Sequence, residues 1–330
     1  MKKLKTLLLG RRSVAKLVSI KDAIHAVEDV FRQQGLNKTQ MPPKIYLHLE
    51  KYAGDFRAMP AYAEKLNKCV LKWVNVHPNN RKSGLATVMA VIILSDPKNG
   101  FPLCIMDGTL ITNLRTGAAG AVAAKYLARG DSKIVGMVGC GEQAKTQALG
   151  LRLNFNLKEI KLWSKDDSCA KSFMGAMRAG KEKITICKNI EDCVSASDIV
   201  VTTTPSRKPI VKYSWLKQGC HINAIGADSK GKEELEPLIL KKAKVVVDNF
   251  TQASHSGEIN VPFSKGLITR NNVYAELGSI ICAKQKGRVN ESEITVFDST
   301  GLAIQDLAVA NIVYKTALKR NIGTKINLIG

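Results

Sequence analysis

The stretch Ile134-Val-Gly-Met-Val-Gly-Cys-Gly-Glu-Gln-Ala144 constrains this chain more than any other. Ile134–Val138 is a run of apolar and small residues and reads as a buried parallel strand. Gly139-Cys140-Gly141-Glu142-Gln143-Ala144 follows at once, and apolar residues (Ala144, Ala148, Leu149, Leu151, Leu153) then mark a helix. A G-x-G-x-x-A turn between a strand and a helix suits a dinucleotide's pyrophosphate. The first glycine makes the tight turn, and the second lets backbone approach the phosphates. The small third residue lets helix and strand pack closely. The helix N-terminus adds unpaired N–H groups and the positive end of its dipole.

Around this stretch, residues 131–298 alternate strands with helices. The strands predicted are 134–139, 159–163, 184–187, 198–203, 220–225, 244–248 and 293–298. That pattern implies βαβ units, hence an α/β fold with a doubly wound parallel Rossmann sheet over residues 116–301. The chain before it reads differently. Ser19-Ile-Lys-Asp22 has the form of a helix N-cap with an acid three residues on. Ala23, Ile24, Ala26, Val27, Val30 and Phe31 continue it at helical spacing to Gly35. Stretches 44–49, 56–59, 69–76, 88–95 and 103–106 then read as strands without long helices between them. A mainly antiparallel sheet follows, in a second, α+β domain of residues 1–115. The last segment, 302–330, carries a helix whose apolar face (Leu302, Ile304, Leu307, Ala308, Ile312, Val313, Leu318) returns to complete that domain. Residues 114–127 read as a helix dense in Ala and Gly, with Arg115 and Thr116 at its positive N-terminal end.

Composition narrows the function classes. The net charge is +22, from 50 basic and 28 acidic residues. Such a balance suits polyanion binding, but the basic residues are scattered and no nucleic-acid-binding signature appears. Aromatics make up only 5%, too few for stacking platforms. The expectation is a basic enzyme without a nucleic-acid partner. The eight cysteines show no Cys-x-x-Cys and no metal spacing with histidine, so no metal site is expected. Several lie in apolar runs, as buried free thiols do, which points to a reducing, cytoplasmic setting. Residues 1–10 superficially suggest a signal peptide, but the apolar part is too short and Arg11 and Arg12 follow, so a first strand is expected. No apolar run reaches the length of a membrane span.

In open α/β sheets ligands gather beyond the carboxyl ends of the strands. Those ends hold Ser164-Lys165, Thr202-Thr203-Thr204, Ala224 to Asp228, and Asp298-Ser299-Thr-Gly301. Asp228 sits in a Gly-Ala-Asp turn, where a carboxylate meets the reacting end of a cofactor or merely caps a loop. Lys72 lies in Cys69-Val-Leu-Lys-Trp-Val-Asn-Val76, and strand alternation puts it on one face with Val70, Val74 and Val76. It is either an edge-strand gatekeeper or a partly buried amine whose pKa falls on desolvation. Arg57 is either a solvated surface residue or, with Arg115, a bidentate clamp for a carboxylate. His77 and His255 read as structural. The end of the second Rossmann strand decides the dinucleotide. Ser164 falls at the deciding position with Lys165 beside it, which leans towards NADP; a register slip of two puts Asp166 there and favours NAD.

Several motifs then fit one family together. Leu71-Lys-Trp-Val-Asn-Val-His-Pro78, Met106-Asp-Gly-Thr, Leu114-Arg-Thr-Gly-Ala-Ala, Val138-Gly-Cys-Gly-Glu-Gln-Ala, Ile225-Gly-Ala-Asp and Phe297-Asp-Ser-Thr-Gly-Leu-Ala-Ile-Gln-Asp306 resemble the ornithine cyclodeaminase/mu-crystallin family, closest to its archaeal alanine dehydrogenase branch. The resemblance implies a homodimer with a Rossmann domain and a substrate and dimerisation domain. It implies Lys72 as catalytic acid/base, Asp228 as catalytic aspartate near the nicotinamide, and Arg57, Lys72 and Arg115 as substrate ligands. It implies Arg115 and Ser299 as cofactor contacts; with the residues of the glycine turn, the strand ends and the small-residue helix, the cofactor residues expected are Arg115, Thr116, Gly139, Gly141, Glu142, Gln143, Ser164, Lys165, Thr203, Ala224, Gly226 and Ser299. Cyclodeaminases carry glutamate at the position of Arg57, so arginine there argues against ornithine and for a small amino acid such as alanine. Trp163-Ser-Lys165 is similar to the ending of mu-crystallin, an NADP-binding ketimine reductase. The activity implied is NAD(P)-dependent oxidation of L-alanine to pyruvate and ammonia. Reduction of cyclic imino acids (pyrroline- or piperideine-2-carboxylate) is the alternative, then ornithine cyclodeamination, then a non-catalytic small-ligand-binding role.

Overall fold

A computed structural model describes residues 4–329. Met1–Lys3, the start of the basic segment, lie outside the described residues. The chain divides into two compact units, Met1–Arg115 with Leu302–Gly330, and Thr116–Gly301.

The first unit is built on one eight-stranded sheet. In chain order it contains β1 (Thr6–Leu9), α1 (Arg11–Ala15), α2 (Ile20–Gly35), β2 (Thr39–Gln40), β3 (Ile45–Leu49), β4 (Gly54–Ala63), β5 (Lys68–Val76), β6 (Val88–Ser95) and β7 (Pro102–Asp107). Helix α3 (Thr109–Leu127) begins here and runs on into the second unit's residues. The strands follow the order β18-β1-β7-β6-β5-β4-β2, with β3 also on β4, once α11 (Ala303–Arg320) and β18 (Thr324–Ile326) have returned. All pairs are antiparallel except β1 with β7. The expected segment 302–330 is thus a helix and then a short edge strand. Ser19 caps α2 as expected: its side chain accepts from the Asp22 N–H while Asp22 bonds back to the Ser19 N–H. Alternation on β4, β5 and β6 buries one face (Arg57, Met59, Ala61; Val70, Lys72, Val74; Ala90, Ile92, Leu94), broken on β5 only by buried Asn75. Helix α11 packs against β4, β5 and α2. The opposite face keeps Leu71, Trp73, Met89 and Val91 exposed.

The second unit is a Rossmann-type fold. It holds β8 (Ile134–Val138), α4 (Glu142–Asn154), β9 (Glu159–Trp163), α5 (Asp167–Met177), β10 (Lys183–Ile186), α6 (Ile190–Val194), β11 (Ile199–Thr202), β12 (Arg207–Val211) and β13 (His221–Ala224). It continues with β14 (Glu233–Leu235), α7 (Pro237–Lys242), β15 (Lys244–Val247), α8 (Phe250–Ser256), α9 (Asn260–Ser264), β16 (Val273–Glu276), α10 (Leu277–Ile281) and β17 (Thr295–Asp298). Eight strands form one sheet in the order β10-β9-β8-β11-β13-β17-β15-β16, every pair parallel. One apolar cluster fills one face (Val135, Met137, Ile160, Leu162 with Phe173), and a second fills the other (Val200, Ile222, Val245, Val296). Burial on both faces is why these strands read as continuous apolar runs rather than alternating ones. Among the described residues, no helix is long and apolar enough to cross a membrane.

Two expectations are corrected. Helix α3 starts at Thr109, not at 114, so Arg115 and Thr116 lie within it and not at a positive helix end. The Asp107 carboxylate takes the Leu110 N–H, and Thr109–Thr112, three of its four residues β-branched, carries the first turn without the small-residue pattern that marks the rest. The cysteines are not all free thiols either. Cys140 and Cys169 are bonded, with Cα atoms 5.8 Å apart, while the other six remain thiols. The bond ties the glycine turn to α5 across a sequence separation of 29. A loop of that length contributes about 3–4 kcal/mol through the unfolded state. Reduction, or Cys169→Ser, is therefore expected to lower the unfolding midpoint in denaturant. Midpoints that coincide with and without reductant would remove the cross-link from the account.

Candidate active site

In the first unit the site starts from β5. This strand lies between β4 and β6, so Lys72 is not on a sheet edge, and the gatekeeper reading fails. Its side chain is 1% exposed among the apolar residues of the buried face. Nζ stands 2.7 Å from Asp306 Oδ2, on the first turn of α11, and 3.5 Å from Thr112 Oγ1 on α3. The other Asp306 oxygen accepts from Arg115 Nε at 3.2 Å, and Arg115 Nη1 donates to Gln305 Oε1 at 3.0 Å. One fully buried carboxylate thus faces two cations. Burial is the main influence on Lys72 and lowers its pKa; Asp306 opposes the fall and Arg115 adds to it, leaving the amine at about 7. Losing the lysine proton leaves a neutral Asp306–Arg115 pair in the interior, the cheaper arrangement of charge.

Arg57 shares that face. The ladder pairs Arg57 with Val74 and Met59 with Lys72, so Arg57 and Lys72 are diagonal neighbours, roughly 7–8 Å apart between Cα atoms. Arg57 is buried, which excludes the solvated reading. Asp55 holds its Nε and Nη2 at 2.7 and 3.2 Å, and the Tyr46 ring lies under the guanidinium at 5.2 Å. The plane of the fork is therefore fixed.

In the second unit the expected cofactor residues other than Thr116 occupy one continuous edge. Strands β9, β8, β11, β13 and β17 are neighbours, and their carboxyl ends carry Ser164-Lys165, Gly139–Gln143, Thr203, Ala224–Asp228 and Ser299. Gly139 has φ +111°, a conformation that favours glycine, and Thr203 Oγ1 fills the space a Cβ would need. Among the described residues a Cβ on Gly141 would meet no atom within 4 Å, so no contact with them explains a glycine there. Gly141 is the N-cap of α4 and brings no side chain to cap it. The turn thus fits a phosphate group approaching the helix N-terminus. Ser299 Oγ is buried with no partner among the described residues, a second polar feature on the same edge. Ser164 Oγ accepts from the Asp166 N–H at 3.0 Å and lies 2.9 Å from Cys140 Sγ. The Asp166 carboxylate caps α5, accepting from the Ser168 and Cys169 N–H groups, while Lys165 is exposed. Asp228 pairs with Lys232 at 2.5 Å. Thr116 gives its carbonyl to Gln147 Nε2 at 2.8 Å, which ties α3 to α4.

Some residues at these sites were not singled out by sequence reasoning. Asp306 and Gln305 stood inside a quoted motif without a role; a carboxylate within the apolar helix pattern Ile304, Leu307, Ala308 was the available signal. Four buried carboxylates hold the carboxyl edge of the second unit. Glu234 accepts from Thr204 N–H at 2.7 Å and Gly226 N–H at 3.0 Å. Glu258 accepts from the Glu234 and Leu235 N–H groups, Asp298 from those of Glu258 and Ile259, and Asp248 from those of Thr300 and Gly301. Burial, then the neighbouring Glu234, pushes Glu258 well above the usual carboxylate range.

The family model for the ornithine cyclodeaminase/mu-crystallin family matches residues 4–321. The alanine dehydrogenase of Archaeoglobus fulgidus is 51% identical over 325 residues, covering 98% of each chain. A Delta(1)-pyrroline-2-carboxylate reductase of Bacillus cereus is 33% identical, covering 97% of this chain and 99% of its own. Among solved structures, an archaeal alanine dehydrogenase dimer with bound NAD superposes with TM-score 0.95 at 50% identity, over 99% of this chain and 100% of that one. The Thermococcus litoralis Delta(1)-pyrroline-2-carboxylate reductase, in complex with NADH and L-proline, gives TM-score 0.95 at 37% identity, over 97% and 100%. With its motifs, both sheets and nearly its whole length matched, the chain belongs to the ornithine cyclodeaminase/mu-crystallin family.

Proposed function

We propose that the protein is an NAD(P)-dependent amino-acid dehydrogenase converting L-alanine, NAD(P)⁺ and water to pyruvate, ammonium, NAD(P)H and a proton. One observation carries the reading: a buried amine held near neutrality, Lys72, shares a sheet face with a buried, immobilised guanidinium, Arg57. A small α-amino acid presents one carboxylate and one ammonium. Arg57 and Arg115 take the carboxylate, and neutral Lys72 takes a proton from the ammonium. When bound, the nicotinamide accepts the hydride from the substrate's Cα. Lys72 then releases that proton to solvent, takes another from the water that adds to the substrate iminium, and passes it to the departing nitrogen, while Asp228 orients that water. Asp306 holds the protonated Lys72 in place between these transfers.

The Thr116–Gly301 unit is the proposed dinucleotide domain. Gly139, Gly141, Glu142 and Gln143 face the pyrophosphate, Ser164 and Lys165 the adenosine ribose, and Arg115, Thr116, Thr203, Ala224, Gly226 and Ser299 the remainder. The bound NAD and NADH of the two solved relatives support NAD(H). Exposed Lys165 is the residue that would admit NADPH as well. The first unit is the proposed substrate and dimerisation domain. Its apolar face, where Trp73 stacks on Phe56 at 5.2 Å, suits a second copy of this chain. Sedimentation is expected to give twice the chain mass, and a monomer would overturn that assignment.

The deciding assay follows absorbance at 340 nm with pyruvate and ammonia, using NADH in one cuvette and NADPH in another. Oxidation that requires ammonia is expected, faster with NADH. No oxidation, with turnover on pyrroline-2-carboxylate instead, would replace alanine by a cyclic imino acid.

A further inference from the structure

The amide of Gln305 sits in the Lys72 cluster with only one of its two ends in use. The side chain is fully buried on the first turn of α11. Oε1 accepts from Arg115 Nη1 at 3.0 Å. That bond fixes the orientation of the amide, because a guanidinium can only donate and so must face the oxygen. Nε2 is therefore the remaining end, and among the described residues it has no hydrogen-bond partner. Folded chains rarely leave a buried donor unmatched, since its desolvation is then uncompensated. The neighbouring polar groups do not need it: Asp306 already serves Lys72 and Arg115.

We infer that Gln305 is a substrate-binding residue, donating from Nε2 to a carboxylate oxygen of the amino or oxo acid beside Arg115. This inference rests on the amino-acid dehydrogenase reading, which supplies a carboxylate substrate to the Lys72 cluster. Gln305 then has two tasks. It orients Arg115 through its oxygen and meets the substrate through its nitrogen, so the pair forms one donor set for a planar carboxylate.

Gln305→Glu separates the two tasks. Glutamate is nearly isosteric and still accepts from Arg115, so a residue that merely supports Arg115 tolerates it. Its second oxygen cannot donate and repels a carboxylate. The expected result is a KM for pyruvate and for alanine raised about tenfold or more, the factor set by losing one buried donor to a charged acceptor. The inhibition constant of oxamate, an unreactive pyruvate mimic, should rise in parallel. The NADH dissociation constant, read by fluorescence, should stay within about twofold, as no cofactor contact is removed. Gln305→Met, which removes the donor without adding charge, should raise the same two constants. If wild-type enzyme turns over alanine while both variants keep KM and the oxamate constant unchanged, Gln305 is structural and the inference is overturned. If wild-type enzyme turns over no amino or imino acid, the dehydrogenase reading fails first, and this inference with it.

Discussion

Lys72→Met is expected to reduce turnover on alanine by about 10²–10⁴-fold, the usual worth of a positioned acid/base. Binding of NADH should persist with a dissociation constant close to that of the wild type. Methionine fills most of the lysine's volume and leaves Asp306 paired with Arg115, so the fold should tolerate it. Lys72→Arg sharpens the test. Arginine keeps the positive charge, yet it cannot lose its proton at any working pH. A residue needed only as a cation would survive that change, whereas a proton acceptor would not. Retained turnover in Lys72→Arg would sink the base role and leave Lys72 as an anion-holding residue. The pH dependence carries the same sign. In the amine-oxidising direction the neutral amine is the working form, so kcat/KM should rise with pH through about 7, where burial has brought Lys72.

Much of this site was legible because it obeys local rules. The glycine turn stands between an apolar strand and a helix, and β5 alternates so regularly that Lys72 had to share a face with Val70 and Val74. Period-two patterning states which face a residue takes, but not what covers that face. Lys72's partner comes from α11, at the far end of the chain, and nothing local links the two. Asp306 within the first turn of a helix reads equally well as a dipole partner. The Cys140–Cys169 bond gave no sequence signal, as it joins a turn to a helix without a recognisable spacing. The start of α3 was hidden for a different reason. Thr109-Leu-Ile-Thr-Asn113 is rich in β-branched residues and has none of the small ones that follow, and the capping bond to Asp107 that marks it as helix is not visible in sequence. The same limit applies to Glu234, Glu258, Asp248 and Asp298. Each looks like an ordinary acid in sequence, and only tertiary packing turns it into an acceptor for backbone amides.

Asp306→Ala should be the most damaging single change to the first unit. It leaves Lys72 and Arg115, 1% and 6% exposed, without the carboxylate that both of them face. Removing one partner of a buried ion pair typically costs about 3–5 kcal/mol, because the remaining charge is uncompensated. Lys72 has an escape, since it can give up its proton. Asp306 holds the Lys72 pKa up, so its loss should move that pKa below about 7. Above pH 7 the amine is then neutral in both proteins, and the variant bears only the orphaned Arg115. As pH falls below 7 the wild-type lysine takes up its proton beside Asp306 and the variant's does not. The stability difference should therefore widen towards acid, which denaturant unfolding at several pH values can measure. Asp306→Asn removes the charge while keeping the shape, and it carries the argument to catalysis. Its kcat/KM profile for alanine should keep a rising limb but with the midpoint moved to lower pH. A limb at the wild-type position would mean that Asp306 does not govern the Lys72 proton. The carboxylate would then serve Arg115 alone, and the lysine would owe its neutrality to burial.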